Sequence, residues 1–255
     1  MKKKKIFNKR KILLTYMRLY FYPKEEISKI LESRERSIFN FLNLHDIYFF
    51  QKNVLFKKVL TQNFSRNFID GFTLSLFLSI KKFKKIGRLR GPTFTREFLK
   101  KNTNKKYFFI GLEEKDLNFL VKKFPKLKRK NLFCYNPPYI KGIIFKKDEI
   151  NKISKLINKS KSDYVWVGIG SPKQNILSYQ LFNKTGATYF FNVGAAFDFI
   201  LGKKREAPLI IQKIGLEWFY RLITDFKHSK KKVWRSLIGL IYLLTKRVKI
   251  EIIKK

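Results

Sequence analysis

Two apolar runs, residues 164–169 and 188–193, each reach a glycine and then pass directly into polar residues. Such runs are too short for buried helices and are bounded by turn residues, so they read as buried strands. An α/β fold presents its ligand site at the carboxyl ends of strands of this kind. The first run leads through Gly170, Ser171 and Pro172 into a helix-like segment. The second reaches Gly194 and, after two alanines, a carboxylate at Asp198.

The rest of the chain alternates in the same way. A strand through Leu42 meets Asn43, a helix cap, and the helix resumes over 52–62. Phe68-Ile69 is a short strand ending at Asp70-Gly71, and residues 72–85 are helical. The basic loop 88–92 follows, with Thr95 as cap of the next helix. Strands at 106–111 and 131–135 flank a helix at 113–124. The rigid Asn136-Pro137-Pro138-Tyr139 loop then precedes a helix at 148–160. Spacings of this kind predict a largely parallel, Rossmann-like α/β sheet. Residues 1–36 form a basic extension with a short polar helix at 24–36, residues 37–215 the α/β core, and residues 216–255 a basic helical appendage.

At 255 residues the chain can bury roughly 70–75% of its surface. Lys and Arg number 58 against 18 acids, a net charge of +40, which attracts phosphate in nucleotides, anionic membranes or nucleic acid. Cys134 is the single cysteine, so no internal disulfide forms, and with two histidines a Cys/His zinc site is excluded. The basic start is broken at Asn8, Lys9, Arg10, Lys11 and Arg18 and has no signal-peptide character. No apolar run approaches the roughly 18–20 residues of a membrane span. In the tail, Lys227, Lys230, Lys231, Lys232, Arg235, Lys246, Arg247, Lys249, Lys254 and Lys255 face Glu251 alone. There Trp234, Leu237, Ile238, Ile241, Leu244 and Val248 fall near one helical face, the pattern of an interfacial membrane helix.

Chemical motifs are sparse. Gly168-Ile169-Gly170 is half of a dinucleotide fingerprint without its third glycine, and no P-loop or nucleophile elbow is present. Asp198 and Glu217 lie among apolar residues, where a structural carboxylate is the simpler reading. Asp70 sits at a strand end beside Gly71, with room for a ligand. Its use as a base requires a raised pKa or proton transfer only as the transition state develops.

These residues together resemble the WecG/TagA/CpsF glycosyltransferase family. The resemblance is carried by residues 167–174 (VGIGSPKQ), 191–204 (FNVGAAFDFILGKK), Ala207-Pro208 and 215–222 (GLEWFYRL). Asp70-Gly71, Arg88 with Gly91, 108–111 (FFIG) and Pro137-Pro138 agree with it. It implies a metal-independent, inverting enzyme without a cofactor. Such an enzyme moves a hexose, N-acetylmannosamine or its uronic acid in many members, from a UDP-sugar to an undecaprenyl-diphosphate-linked saccharide. The expected setting is the cytoplasm, at the anionic inner face of the plasma membrane, in cell-surface polysaccharide synthesis.

Carried over by position, Asp70 is the expected base. Arg88, Gln174 and Asp198 match pocket positions, and Arg221 matches an appendage arginine that helps hold the diphosphate. Asn43, Gly111, Gly168, Gly170, Pro172 and Gly194 complete the expected substrate-binding set. The chain departs from the family at Asn175 (often Glu), at Glu206 (often Arg) and at Phe41, where a Thr-x-Asn usually begins. A basic nucleic-acid-binding protein is the alternative from another class, although no nucleic-acid motif is present and no nucleic-acid partner is expected. An inactive family member retained for partner binding is the third reading.

Overall fold

A computed structural model describes residues 16–20, 27–28, 31–83, 85–101, 104–245 and 247–253. Six parallel strands make the main sheet: β2 (Ser37–Leu42), β3 (Ser65–Ile69), β4 (Tyr107–Ile110), β5 (Leu132–Tyr135), β6 (Tyr164–Val167) and β7 (Tyr189–Asn192), in the order β3-β2-β7-β6-β4-β5. This is the expected Rossmann-like arrangement. Both faces are covered, which is why the central strands are largely apolar rather than alternating with polar residues. Phe39, Phe109, Trp166 and Phe191 pack on one face; Ile38, Phe108, Val165 and Phe190 pack on the other.

One polar seam crosses this apolar sheet. Asn67, Asn40 and Asn192 stand in register on β3, β2 and β7. Asn40 donates to Asn67 (3.0 Å) and accepts from both Asn192 and Asn175 at 2.8 Å. Ser178 donates to Asn192 at 2.6 Å. Buried amides left unpaired would each cost about 1–3 kcal/mol. This seam therefore penalises a slip of register among the central strands.

The helices differ from expectation at identifiable points. Residues 44–60 form two helices, α1 (Leu44–Lys52) and α2 (Val54–Leu60), because Asn53 breaks the first and caps the second, accepting from Phe56 N (2.8 Å). α3 (Phe72–Lys81) is shorter than expected. α4 (Gly91–Lys101) begins at Gly91-Pro92 rather than after Thr95. Proline suits a first turn, where its missing N–H is no loss, and Thr95 instead donates to Gly91 O within the helix (2.8 Å). α5 (Glu114–Lys123), α6 (Lys147–Ser160) and α7 (Lys173–Phe182) stand as expected, followed by the short α8 (Ala196–Ile200) and α9 (Leu209–Ile214). Of the polar helix expected at 24–36, residues 27–28 and 31–33 are helical, and the intervening positions lie outside the described residues.

The ends of the chain belong together. Residues 16–20, expected as tail or helix, form β1 (Tyr16–Tyr20), which pairs in parallel with β8 (Lys249–Ile253) near the carboxyl end. Between them in sequence lie α10 (Glu217–Thr224) and α11 (Phe226–Leu244). Met17, Leu19, Tyr242, Leu243 and Val248 share a buried cluster with Leu44, Ile47 and Phe50 of α1 and Leu74 of α3. Val248, expected on an exposed helical face, is thus buried beyond the helix end.

α11 crosses α1 closely at Gly239, where an added Cβ would fall 2.1 Å from Leu44 O. Backbone cannot yield as a flexible side chain can, so overpacking here costs about 1–3 kcal/mol. We expect Gly239→Ala to lower the melting temperature by several degrees, while Gly142→Ala, with open space around it, leaves it unchanged. Equal melting of the two variants would refute the close crossing.

Candidate functional site

Two cavities meet over the carboxyl ends of β2, β3, β6 and β7. The larger, about 550 Å³, is the more polar of the two and is bounded by the turns after β6 and β7, with Asp198, Lys203 and Lys204 at its side. The smaller, about 330 Å³, is mostly apolar and bounded by Leu44, Phe72, Leu74, Trp218, Val233, Leu237 and Leu240. Asn43, Asp70, Pro92, Arg221, Ser229 and Lys232 line both, so these residues mark the junction.

The polar cavity is shaped by backbone. Gly170 and Gly194 have φ of +86° and +56°, a region that side-chain-bearing residues rarely occupy. Gln174, buried in α7, fastens the two turns together. Its Oε1 accepts from Gly170 N (3.2 Å) and Gly194 N (2.9 Å), and its Nε2 donates to Asn192 O (3.2 Å). All of its polar atoms are thereby engaged, which makes Gln174 a strut of the site. Asp46 performs a similar task, accepting from Asn43 N (2.8 Å) through Oδ2 and from the Ser171 hydroxyl through Oδ1. Burial raises its carboxyl to about 6, against the lowering effect of these hydrogen bonds. Asn43 accepts from His45 N through its Oδ1 (2.9 Å), leaving its amide NH₂ as the group available to the cavities.

Asp70 follows directly from β3. Its Oδ1 accepts from Gly91 N at 3.0 Å, the first residue of α4. Surrounding protein raises its pKa by desolvation, opposed by the Gly91 hydrogen bond and by Arg221 and Arg90. A carboxylate raised in this way is a better proton acceptor than one at the ordinary value. Lys232 of α11 is exposed and lines both cavities. Loss of solvation against the surrounding protein, with the nearby Arg221, lowers its pKa, while Asp46 and Asp70 pull the other way.

A set of arginines borders the junction. Glu217 of α10 binds Arg88 (3.3 Å), Arg90 (3.1 Å) and, more loosely, Arg221 (4.0 Å). Glu206 binds Arg90 (2.8 Å) and Arg96. Burial alone would raise Glu206, but its hydrogen bonds from Arg96 and Arg90 hold it below the usual range. Glu206, standing where the family often has arginine, thus orders two arginines rather than supplying one. Arg221 also lies over the Phe199 ring, 5.0 Å from its centroid.

Of the expected site residues, Asn43, Asp70, Gly168, Gly170, Gln174, Gly194, Asp198 and Arg221 line the polar cavity, and Arg88 lines the apolar one. Gly111 and Pro172 line neither. Gly111 packs beneath Ile169, and Pro172 follows a cis peptide and caps α7. Lys232, Arg90, Asp46 and Ser171 were not anticipated. A signal for Lys232 existed: Ser229, Lys232, Val233, Ser236, Leu237 and Leu240 form one stripe at helical spacing, and all six line the apolar cavity. The outward stripe, Trp234, Ile241 and Leu244, is exposed. Among the described residues no three His, Cys, Asp or Glu cluster in a way that could hold a metal ion, and no helix is long and apolar enough to cross a membrane.

Curated enzymes of Staphylococcus aureus strains NCTC 8325 / PS 47 and MRSA252, both named N-acetylglucosaminyldiphosphoundecaprenol N-acetyl-beta-D-mannosaminyltransferase, are similar to this chain. They are 36% and 35% identical to it over 88 residues, which is 34% of this chain and 33% of each relative. These alignments span about a third of the relatives' length, so they inform only part of the chain. The model of the Glycosyl transferase WecG/TagA/CpsF family matches far more, residues 22–252, taking in both cavities and the helices that wall them. On that match the chain belongs to the WecG/TagA/CpsF glycosyltransferase family.

Proposed function

We propose that this protein transfers a hexose from a UDP-sugar to an undecaprenyl-diphosphate-linked saccharide, with inversion and without a metal, during cell-surface polysaccharide synthesis. The observation that carries this reading is Asp70, a desolvated carboxylate at the junction of a polar and an apolar cavity. The donor occupies the polar cavity, with its diphosphate toward the Gly168–Gly170 and Gly194 turns and its nucleoside toward Asp198. The acceptor sugar reaches Asp70 from the apolar side, which suits a lipid-linked substrate. N-acetylmannosamine as the donated sugar and N-acetylglucosamine as the acceptor are supported by the names of the similar Staphylococcus aureus enzymes.

In the reaction, Asp70 accepts the proton of the acceptor hydroxyl as its oxygen attacks the anomeric carbon. The attack comes from the face opposite the departing UDP oxygen, so the configuration inverts. Charge developing on that oxygen is met by Arg221, Lys232 and the backbone N–H groups of the turns. Arg88 and Arg90, held by Glu217, place positive charge where the acceptor diphosphate enters. Asn43 orients a sugar hydroxyl through its amide.

The appendage, proposed as residues 216–255, brings this site to the anionic cytoplasmic face of the plasma membrane. Trp234, Ile241 and Leu244 supply its apolar contact, and neighbouring lysines contribute about 1 kcal/mol each near an anionic surface. Tyr242, Leu243 and Val248 are buried, so truncation would remove core as well as contact. Substitution of exposed positions is the sounder test.

Asp70→Asn should lower turnover by roughly 10²–10⁴-fold, the usual range for removing a general base, while UDP binding measured by calorimetry persists. Near-wild-type turnover would eliminate Asp70 as the base. The acid limb of the wild-type pH–rate profile should lie above the ordinary carboxylate value of about 3.9, because Asp70 must lose its proton and burial raises its pKa. Trp234→Glu with Ile241→Glu should reduce co-sedimentation with phosphatidylglycerol vesicles without changing the melting temperature. Undiminished co-sedimentation would exclude this face as the membrane contact.

A further inference from the structure

α3 carries an apolar stripe that the catalytic reading leaves unused. Phe72, Leu76 and Ile80 follow one another at intervals of four residues, which places them along one side, and Phe83 continues the stripe in the turn just beyond the helix. Exposure rises with distance from the site. Phe72 lines the apolar cavity, whereas Leu76 is 46% exposed, Ile80 65% and Phe83 98%. Phe83, in the turn two residues past the helix end, has φ of 48°, a left-handed position usually taken by glycine or asparagine. A bulky residue there is strained, and its ring also stands almost wholly in solvent. Neither cost is offset by packing among the described residues.

The surroundings indicate what offsets them. Lys81, Lys82 and Lys85 are exposed beside the stripe, and no acidic residue occurs between Gly71 and Arg96. At its inner end the stripe joins other exposed apolar surface. Phe72 lies so close to Gly215 that a Cβ there would fall 2.0 Å from its ring, and the flanking Ile214 and Leu216 are exposed. An apolar ridge set among lysines and continuous with a cavity mouth matches an anionic lipid surface, which offers hydrocarbon and negative charge together.

We infer that α3, a helix of the α/β core, is a second membrane-contacting element beside α11. Ile80 and Phe83 enter the interfacial layer of the bilayer, and the three lysines engage its headgroups. The membrane then meets the apolar cavity along α3 as well as along the appendage, so a lipid-linked substrate enters without crossing water. The inference rests on the membrane step of the proposed function and not on sugar transfer itself.

The test places a single cysteine at the ridge tip. Phe83→Cys in a Cys134→Ser background, labelled with an environment-sensitive fluorophore, is mixed as full-length protein with phosphatidylglycerol/phosphatidylcholine vesicles. The emission should shift to the blue and be quenched by lipids carrying quenchers at shallow depth. In unlabelled protein, Ile80→Asp with Phe83→Asp should weaken vesicle partitioning roughly tenfold or more, the scale set by burying one large side chain. UDP binding and transfer to a water-soluble short-chain acceptor should stay unchanged. A probe that remains in water while the protein sediments with vesicles overturns the inference, as does a wild-type chain that binds no vesicles. A normal vesicle response from a chain that transfers no sugar supports the inference and counts against the proposed activity alone.

Discussion

The crossing of α11 over α1 is the contact on which both cavities depend. It brings backbone within touching distance at Gly239 and Leu44, and it buries Tyr242 and Leu243 in a cluster shared with α1, α3 and β1. Ser229 and Lys232, set by that crossing, then wall both cavities, and Val233, Ser236, Leu237 and Leu240 close the apolar one. Without it the carboxyl ends of the strands would form an open shelf, where water screens the charges around Asp70 and Arg221. The pairing of β1 with β8 fastens the far end of the same helix through residues from the start of the chain.

Beneath that roof, the site is rigid because its polar groups hold one another. Gln174 engages both glycine turns and the end of β7, Asp46 engages the Ser171 turn and the start of α1, and Gly91 engages Asp70. Each of these side chains can satisfy its partners in only one arrangement of the loops. Preorganised dipoles of this kind need no reorganisation when charge develops. The arginines are held differently. Glu217 and Glu206 pair with Arg88, Arg90 and Arg96. Those pairs are partly exposed, so solvent screens them and each contributes modestly.

Much of this was legible in advance where local chemistry decides it. The apolar runs before Gly168 and Gly194, the Asn43 cap and the Asp70-Gly71 strand end each follow from short-range rules, and the structure places them as expected. The local reading failed where a longer-range partner intervened. Thr95 looked like a cap, yet Gly91-Pro92 starts the helix one turn earlier because Asp70 accepts from Gly91 N. Val248 looked like part of an exposed helical stripe, yet the helix ends at Leu244 and Val248 closes into the core shared with β1.

The sequence by itself determined the parallel α/β architecture, because strand and helix periods, caps and glycine stops act within a few residues of one another. It also pointed to the carboxyl-end turns as a place where an α/β fold can hold a ligand, while Asp70 was expected as the base from the family resemblance. Only the tertiary structure decided that the site has two cavities, that Lys232 points into their junction while Trp234 faces outward, and that the first strand pairs with the last. The physical reason is that helical periodicity shows which residues share a face but not which surface that face will bury against. That choice was made by the close approach of α11 to α1, a contact between residues nearly two hundred positions apart in the chain.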